Sequence, residues 1–146
     1  MDYFKECEEM LLNFNNLKLA RDNLHKRRER LEASGAPKDI KSFDFSKPYV
    51  SGSFVNDTYK QLFEYGETCR QIDETTKKIN EIKSIVSQLP KESRKIIKLF
   101  YFEGATYEQI AERIGCWSTT TVYKKKNTAI KDFAVLYYGA VALKEV

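Results

Sequence analysis

From Tyr3 to Ala33, apolar positions return at alternating spacings of four and three: Tyr3, Cys7, Met10, Phe14, Leu17, Leu24 and Leu31, with Arg21 and Arg28 interrupting. That period predicts one long helix with a single apolar stripe. Ser34-Gly35-Ala36-Pro37 should end it, because glycine suits a helix C-terminal turn and proline cannot continue one. Residues 34–57 read as a loop with Pro48, Gly52 and several serines, whose aromatics Phe43, Phe45, Tyr49 and Phe54 are expected to fold back onto the helices. A second stripe is made by Leu62, Tyr65, Cys69, Ile72, Thr76, Ile79 and Val86, widened by Ile82 and Ile85. It predicts a helix from Asp57 or Thr58 to about Gln88. Gly66 is a weak point inside it, costing about 1 kcal/mol against alanine. Leu89-Pro90 then breaks the pattern, and Pro90 suits the first turn of the next helix. The expected fold is all-α: a long antiparallel, coiled-coil-like helical hairpin over residues 1–88, then a separate helical domain over 89–146.

The stretch Thr106 to Phe133 reads as two short helices around a tight turn. Thr106 can cap the first, with Gln109 at capping-box spacing and Glu108 near the positive helix end. Ile110, Ala111 and Ile114 share a face, and the small Ala111 lets a second helix cross closely. Gly115 suits the left-handed C-terminal position. Cys116 and Trp117 form the turn, and Ser118 caps the next helix, whose buried face is Val122, Ala129, Ile130 and Phe133. This is the pattern of a helix-turn-helix whose second helix enters a DNA major groove. Residues at the start of such a helix reach base edges, so Thr119, Thr120, Tyr123 and Lys124 are the expected base readers. Ser118, Lys125, Lys126, Asn127 and Lys131 are the expected phosphate contacts.

Leu89 to Leu136 also resembles region 4 of the sigma-70 type initiation factors. The matching elements are Leu89-Pro90, the apolar helix Ile96 to Phe102, Glu103-Gly104, Tyr107-Glu108-Gln109-Ile110-Ala111, Ile114-Gly115, and Thr121-Val122 with Ala129 seven residues on. The resemblance implies a DNA-binding domain that reads a promoter element and docks on RNA polymerase. Two departures stand out. Cys116 and Trp117 place Ser118 one position later than usual, which lengthens the turn and should tilt the second helix; Trp117 is expected to fill the space as core. Lys126 stands where the family usually has an apolar residue, so the far end of the helix is expected to be less buried. The whole-chain order of elements resembles the phage ArpU/RinA-type transcriptional regulators, which implies an activator of late genes.

Composition narrows the alternatives. The chain has 146 residues, 42% hydrophobic and 32% charged, with a net charge of +4, a mildly basic balance that fits a polyanion. One basic cluster lies in the second motif helix; the other is Lys18, Arg21, Lys26, Arg27, Arg28 and Arg30. Three well-separated cysteines and a lone His25 argue against a zinc site or disulfide framework and fit a reducing cytoplasm. No metal, cofactor or catalytic constellation is expected, and no membrane partner: the apolar stretch Ala134 to Leu143 is too short to span a bilayer. The expected function is a transcriptional regulator bound to double-stranded DNA, with RNA polymerase as a partner. The helical stripe or the C-terminal tail is available to pair two copies as a homodimer. Two alternatives remain open: a small sigma factor, although residues 1–88 show no counterpart of a promoter-melting domain, and a helical protein-interaction module with little DNA binding.

Overall fold

A computed structural model describes residues 2–34, 53–116 and 118–144. Among these residues there are six α-helices and no strand: α1 Tyr3–Leu12, α2 Phe14–Ala33, α3 Ser53–Gln88, α4 Lys91–Ile97, α5 Tyr107–Ile114 and α6 Thr119–Tyr138. A π-helical turn, Lys98–Phe102, follows α4, and a 3-10 turn, Gly139–Lys144, follows α6. No described helix is long and apolar enough to cross a membrane.

The single helix expected over residues 3–33 is divided at Asn13. The Asn13 side chain donates to the Glu9 carbonyl at 2.9 Å, which the Asn13 amide also reaches at 3.0 Å. The asparagine side chain thus shares a ladder carbonyl with its own amide at the point where the helix is divided. The α3 helix begins at Ser53, earlier than the Asp57 or Thr58 expected from capping chemistry. The stop at Gly35–Pro37 and the aromatics Phe43, Phe45 and Tyr49 lie outside the described residues, as do the Phe54 side chain and the expected core role of Trp117.

The chain forms two compact units, Met1–Leu17 with Lys78–Val146, and Lys18–Lys77. This division differs from the boundary expected at Gln88. The two apolar stripes meet, and residues of the C-terminal helices join them: Cys7, Leu11 and Phe14 share one core with Ile79, Ile82, Val86, Leu89, Ile97, Tyr101, Ala129, Ile130, Phe133, Ala134 and Ala142. Helical periodicity states which face is apolar but not which partner covers it. In the Lys18–Lys77 unit, Leu62, Tyr65, Thr68 and Ile72 are buried on α3. The Tyr65 hydroxyl donates to Glu32 of α2 at 2.9 Å, and Thr68 donates to the Glu64 carbonyl at 2.8 Å, so both buried hydroxyls are satisfied.

Within the first unit, α6 packs against α1, α4 and α5. Its later part enters the larger core through Ala129, Ile130, Phe133 and Ala134. Its earlier part enters a smaller core of Ile96, Leu99, Ile110, Ala111 and Val122. The π-helical turn connects the helices that build both. Tyr101 and Phe102 end that element, where carbonyls lack a partner within the helix, and Asn15 donates to both (3.4 Å and 3.0 Å). Phe14 stacks on Phe102 at 4.2 Å between centroids, and Tyr101 donates to Glu8 at 3.3 Å. Burial, reinforced by the Glu8 carboxylate, raises the Tyr101 phenol well above its ordinary pKa.

Phe133 is fully buried in the larger core whereas Leu136 is exposed. Phe133→Ala is expected to lower the unfolding free energy by about 3–5 kcal/mol, and Leu136→Ala by about 0.5 kcal/mol or less. Denaturant unfolding of the two variants checks this, and equal losses would contradict the packing. Burial first, and Glu6 second, push the Cys7 thiol up to about 12. A raised thiol pKa keeps the group protonated through neutral pH, and only the thiolate is nucleophilic. At pH 8 a thiol reagent should therefore leave Cys7 unmodified in the folded chain and reach it only in denaturant. Modification of Cys7 at the rate of the half-buried Cys69 would count against this.

Candidate nucleic-acid interface

The turn between α5 and α6 is built from short-range interactions. The Thr106 hydroxyl accepts the Gln109 amide at 3.2 Å, while the Gln109 side chain accepts the Thr106 amide at 3.0 Å. This reciprocal capping box satisfies two amides that the helix leaves without partners. At the other end Gly115 adopts φ 76°, ψ 24°, and the amides of Gly115 and Cys116 both return to the Ala111 carbonyl. A side chain at that positive φ would be strained, which is why glycine stands there. Ser118 then sits in extended conformation and accepts the Thr120 amide at 3.1 Å. The expected cap at Thr106, the left-handed Gly115 and the cap at Ser118 are thus present, and they set where α6 begins.

Outer ties hold the two helices on α4 and the π-helical turn. The Lys95 ammonium donates to the Arg113 carbonyl at 3.3 Å, a cation on the last turn of α5. Arg113 pairs with Glu103 at 3.2 Å. Lys125 pairs with Glu92 of α4, and that hydrogen bond raises the lysine's pKa. All of these contacts face solvent, where screening leaves each one weak.

The expected site residues do not share one environment. Thr120, Lys124, Asn127 and Lys131 follow one another at spacings of four, three and four, opposite the buried row of Val122, Lys126, Ala129, Ile130 and Phe133. Thr120, Lys124 and Lys131 are exposed and Asn127 is half-buried. Thr119 is exposed at the start of the helix, and Tyr123 is 50% exposed beside this row. These six form a continuous polar surface with a net positive charge. Ser118, expected at a phosphate, spends its side-chain oxygen on the cap. Lys125 keeps an exposed side chain but faces Glu92.

Lys126 departs from both expectations held for it. It is 4% exposed, so it is neither on the exposed side of α6 nor at a loosely buried end of the helix. Its ammonium donates to the Tyr107 hydroxyl at 3.0 Å and lies 3.8 Å from Glu8. The same nitrogen is 4.7 Å from the ring centroid of Phe100, 5.1 Å from that of Tyr123 and 5.5 Å from that of Tyr107. A buried ammonium is tolerable only with such partners: a hydrogen bond, a carboxylate and aromatic faces within about 6 Å. The sequence carries no signal for this arrangement, because its parts come from α1, the π-helical turn, α5 and α6.

Beside this surface, Lys91, Lys95 and Arg113 line a shallow cleft between α4 and α5, with Glu92 and Ile114. The spacing of Lys91 and Lys95 was the available sign of a cationic edge on α4.

Comparison with known proteins follows the same outline. No curated protein and no solved structure matches the chain. Residues 79–129, about a third of the chain, match the family described as sigma-70, region 4. The match begins in the last part of α3 and ends within α6, so it includes α4, the capped turn and the exposed start of α6. It gives a general assignment to DNA binding in transcription. The chain therefore carries, over residues 79–129, a sigma-70 region 4-like helix-turn-helix domain.

Proposed function

We propose that the chain is a sequence-specific DNA-binding transcriptional regulator, an activator of phage-type late genes that works with RNA polymerase. The observation that carries the DNA-reading part is the exposed row Thr120, Lys124, Asn127 and Lys131 on a capped helix, flanked by Thr119 and Tyr123. Hydroxyl, amide and ammonium groups along one face suit a major groove, where bases present both donors and acceptors. Thr119, Thr120, Tyr123 and Lys124 serve as base readers, being nearest the helix start. Asn127 and Lys131, further along, hold the backbone, and Lys125 joins them when phosphate replaces Glu92. Lys126 has no part in phosphate binding, since its ammonium is enclosed.

The polymerase partnership rests on the family match, and the late-gene role rests on the resemblance of the whole element order to ArpU/RinA-type regulators. The match does not extend over residues 1–78. Two copies on paired half-sites would suit a helix-turn-helix protein. The exposed Leu136, Val141 and Leu143 supply apolar surface for such pairing.

Selection of bound sequences from random duplex DNA should enrich one motif, and its absence would overturn sequence-specific reading. On the enriched duplex, Thr120→Ala should relax preference at one base position by about tenfold, near the low end of what a base contact contributes. Unchanged preference would remove Thr120 from the readers. Lys125→Ala combined with Lys131→Ala should weaken binding to every duplex and reduce the log–log salt slope by about 1.8, or ~0.9 for each phosphate no longer neutralised. A slope equal to that of the unsubstituted chain would show that neither lysine meets phosphate.

A further inference from the structure

Lys126 occupies a place that packing alone would give to an apolar side chain. It lies on the buried face of α6 between Val122, in the smaller core, and Ala129 and Ile130, in the larger one. A methylene chain with an apolar end would fill that space. An ammonium there requires partners in defined directions, and each partner belongs to a different element. Phe100 comes from the π-helical turn, Tyr107 is the first residue of α5, Tyr123 is on the exposed first turns of α6, and Glu8 is on α1.

The rings are also fixed against one another. Phe100 stacks on Tyr107 at 5.1 Å between centroids and 18° between planes. Tyr107 meets Tyr123 edge to face at 6.2 Å and 78°. Tyr107 is therefore held by a stacked ring, an edge contact and a hydrogen bond from the ammonium. Tyr123, half-exposed at the DNA-reading surface, rests on that assembly. A cation prefers the faces of aromatic rings, so the charge defines which way both tyrosines turn, whereas an apolar side chain would accept several orientations.

We propose that Lys126 is a positioning residue for sequence selectivity. Through its contact with the Tyr123 ring face and its hydrogen bond to Tyr107, it holds the Tyr123 ring in the orientation that reads DNA, without itself touching the nucleic acid. This rests on the DNA-reading function proposed above and assigns its selectivity to an interior charge.

The test uses the full chain and two substitutions that leave the exposed surface intact: Lys126→Met, which keeps the length and loses the charge, and Tyr107→Phe, which removes one oxygen. Affinity is measured for the enriched duplex and for random duplex over a salt series. Each variant should lose about tenfold in the ratio of the two affinities, through weaker binding to the enriched duplex. The double variant should lose little more than Lys126→Met alone, because the contact that Tyr107→Phe removes is one of those made by the ammonium. Random-duplex affinity and the salt slope should stay as in the unsubstituted chain, and in the DNA-free protein the Tyr123 ring resonances should move in both variants.

An unchanged ratio in Tyr107→Phe, which retains the fold most surely, overturns the proposal. A slope reduced by ~0.9 in Lys126→Met also overturns it, since that would place the ammonium on phosphate. Tyr123 resonances that do not move overturn it without reference to DNA. If the unsubstituted chain shows no selectivity, the DNA-reading function fails and the selectivity role fails with it. Moving resonances in that case would still separate this outcome from failure of the positioning contact.

Discussion

The arrangement of the DNA-facing domain depends on one constraint: α6 must bury a single row of side chains in two cores at once. Val122 closes the small core with Ile110 and Ala111, and Ala129 to Ala134 close the large one with α1 and the end of α3. A helix gripped at both ends of its buried face cannot rotate about its axis without opening one core, because close-packed interiors resist small changes. The rotation of α6 is thereby settled from the inside. The outward row follows from it, since residues opposite a buried row at helical spacing have nowhere else to face. The capping box at Thr106 and the left-handed Gly115 then settle where α6 begins.

Legibility in the sequence followed the range of the interactions. Thr106, Gln109, Gly115 and Ser118 act on neighbours a few residues away, so residue type and spacing were enough to place the turn. The apolar faces of α3 and α6 were legible for the same reason. What escaped were partnerships across long separations. The stripe of Tyr3 to Phe14 does meet Ile79, Ile82 and Val86 of α3, as half of a hairpin would, but Cys7, Leu11 and Phe14 share that core with Phe133 and Ala134 as well, which spacing alone did not announce. The break at Asn13 was hidden because an asparagine on a polar face reads as ordinary helix surface until its side chain is seen on the Glu9 carbonyl. Lys126 was misplaced because a lysine in a basic run reads as solvated, and only the assembled rings of Phe100, Tyr107 and Tyr123 make its interior position tolerable.

Electrostatics at the candidate interface is more selective than the number of basic residues suggests. Lys95 is engaged by a backbone carbonyl, Arg113 by Glu103, Lys125 by Glu92 and Lys126 by the interior. Among the cations of the row itself, Lys124 and Lys131 carry no such tie within the described residues. A reading helix that neutralises few phosphates gains modest affinity from counterion release, and its binding is correspondingly less salt-sensitive. Discrimination between sequences then has to come from hydroxyl, amide and ring contacts.

The pairing of α1 with α6 also bears on how the molecule acquires its structure. Cys7, Leu11 and Phe14 leave the ribosome well ahead of Phe133, Ala134 and Ala142, which complete the core that covers them. Contacts separated by so much chain are entropically costly to close and slow to form. During synthesis α1 must therefore keep an apolar face without its final partner until α6 has been made. The completion of this core is timed by α6, not by α1.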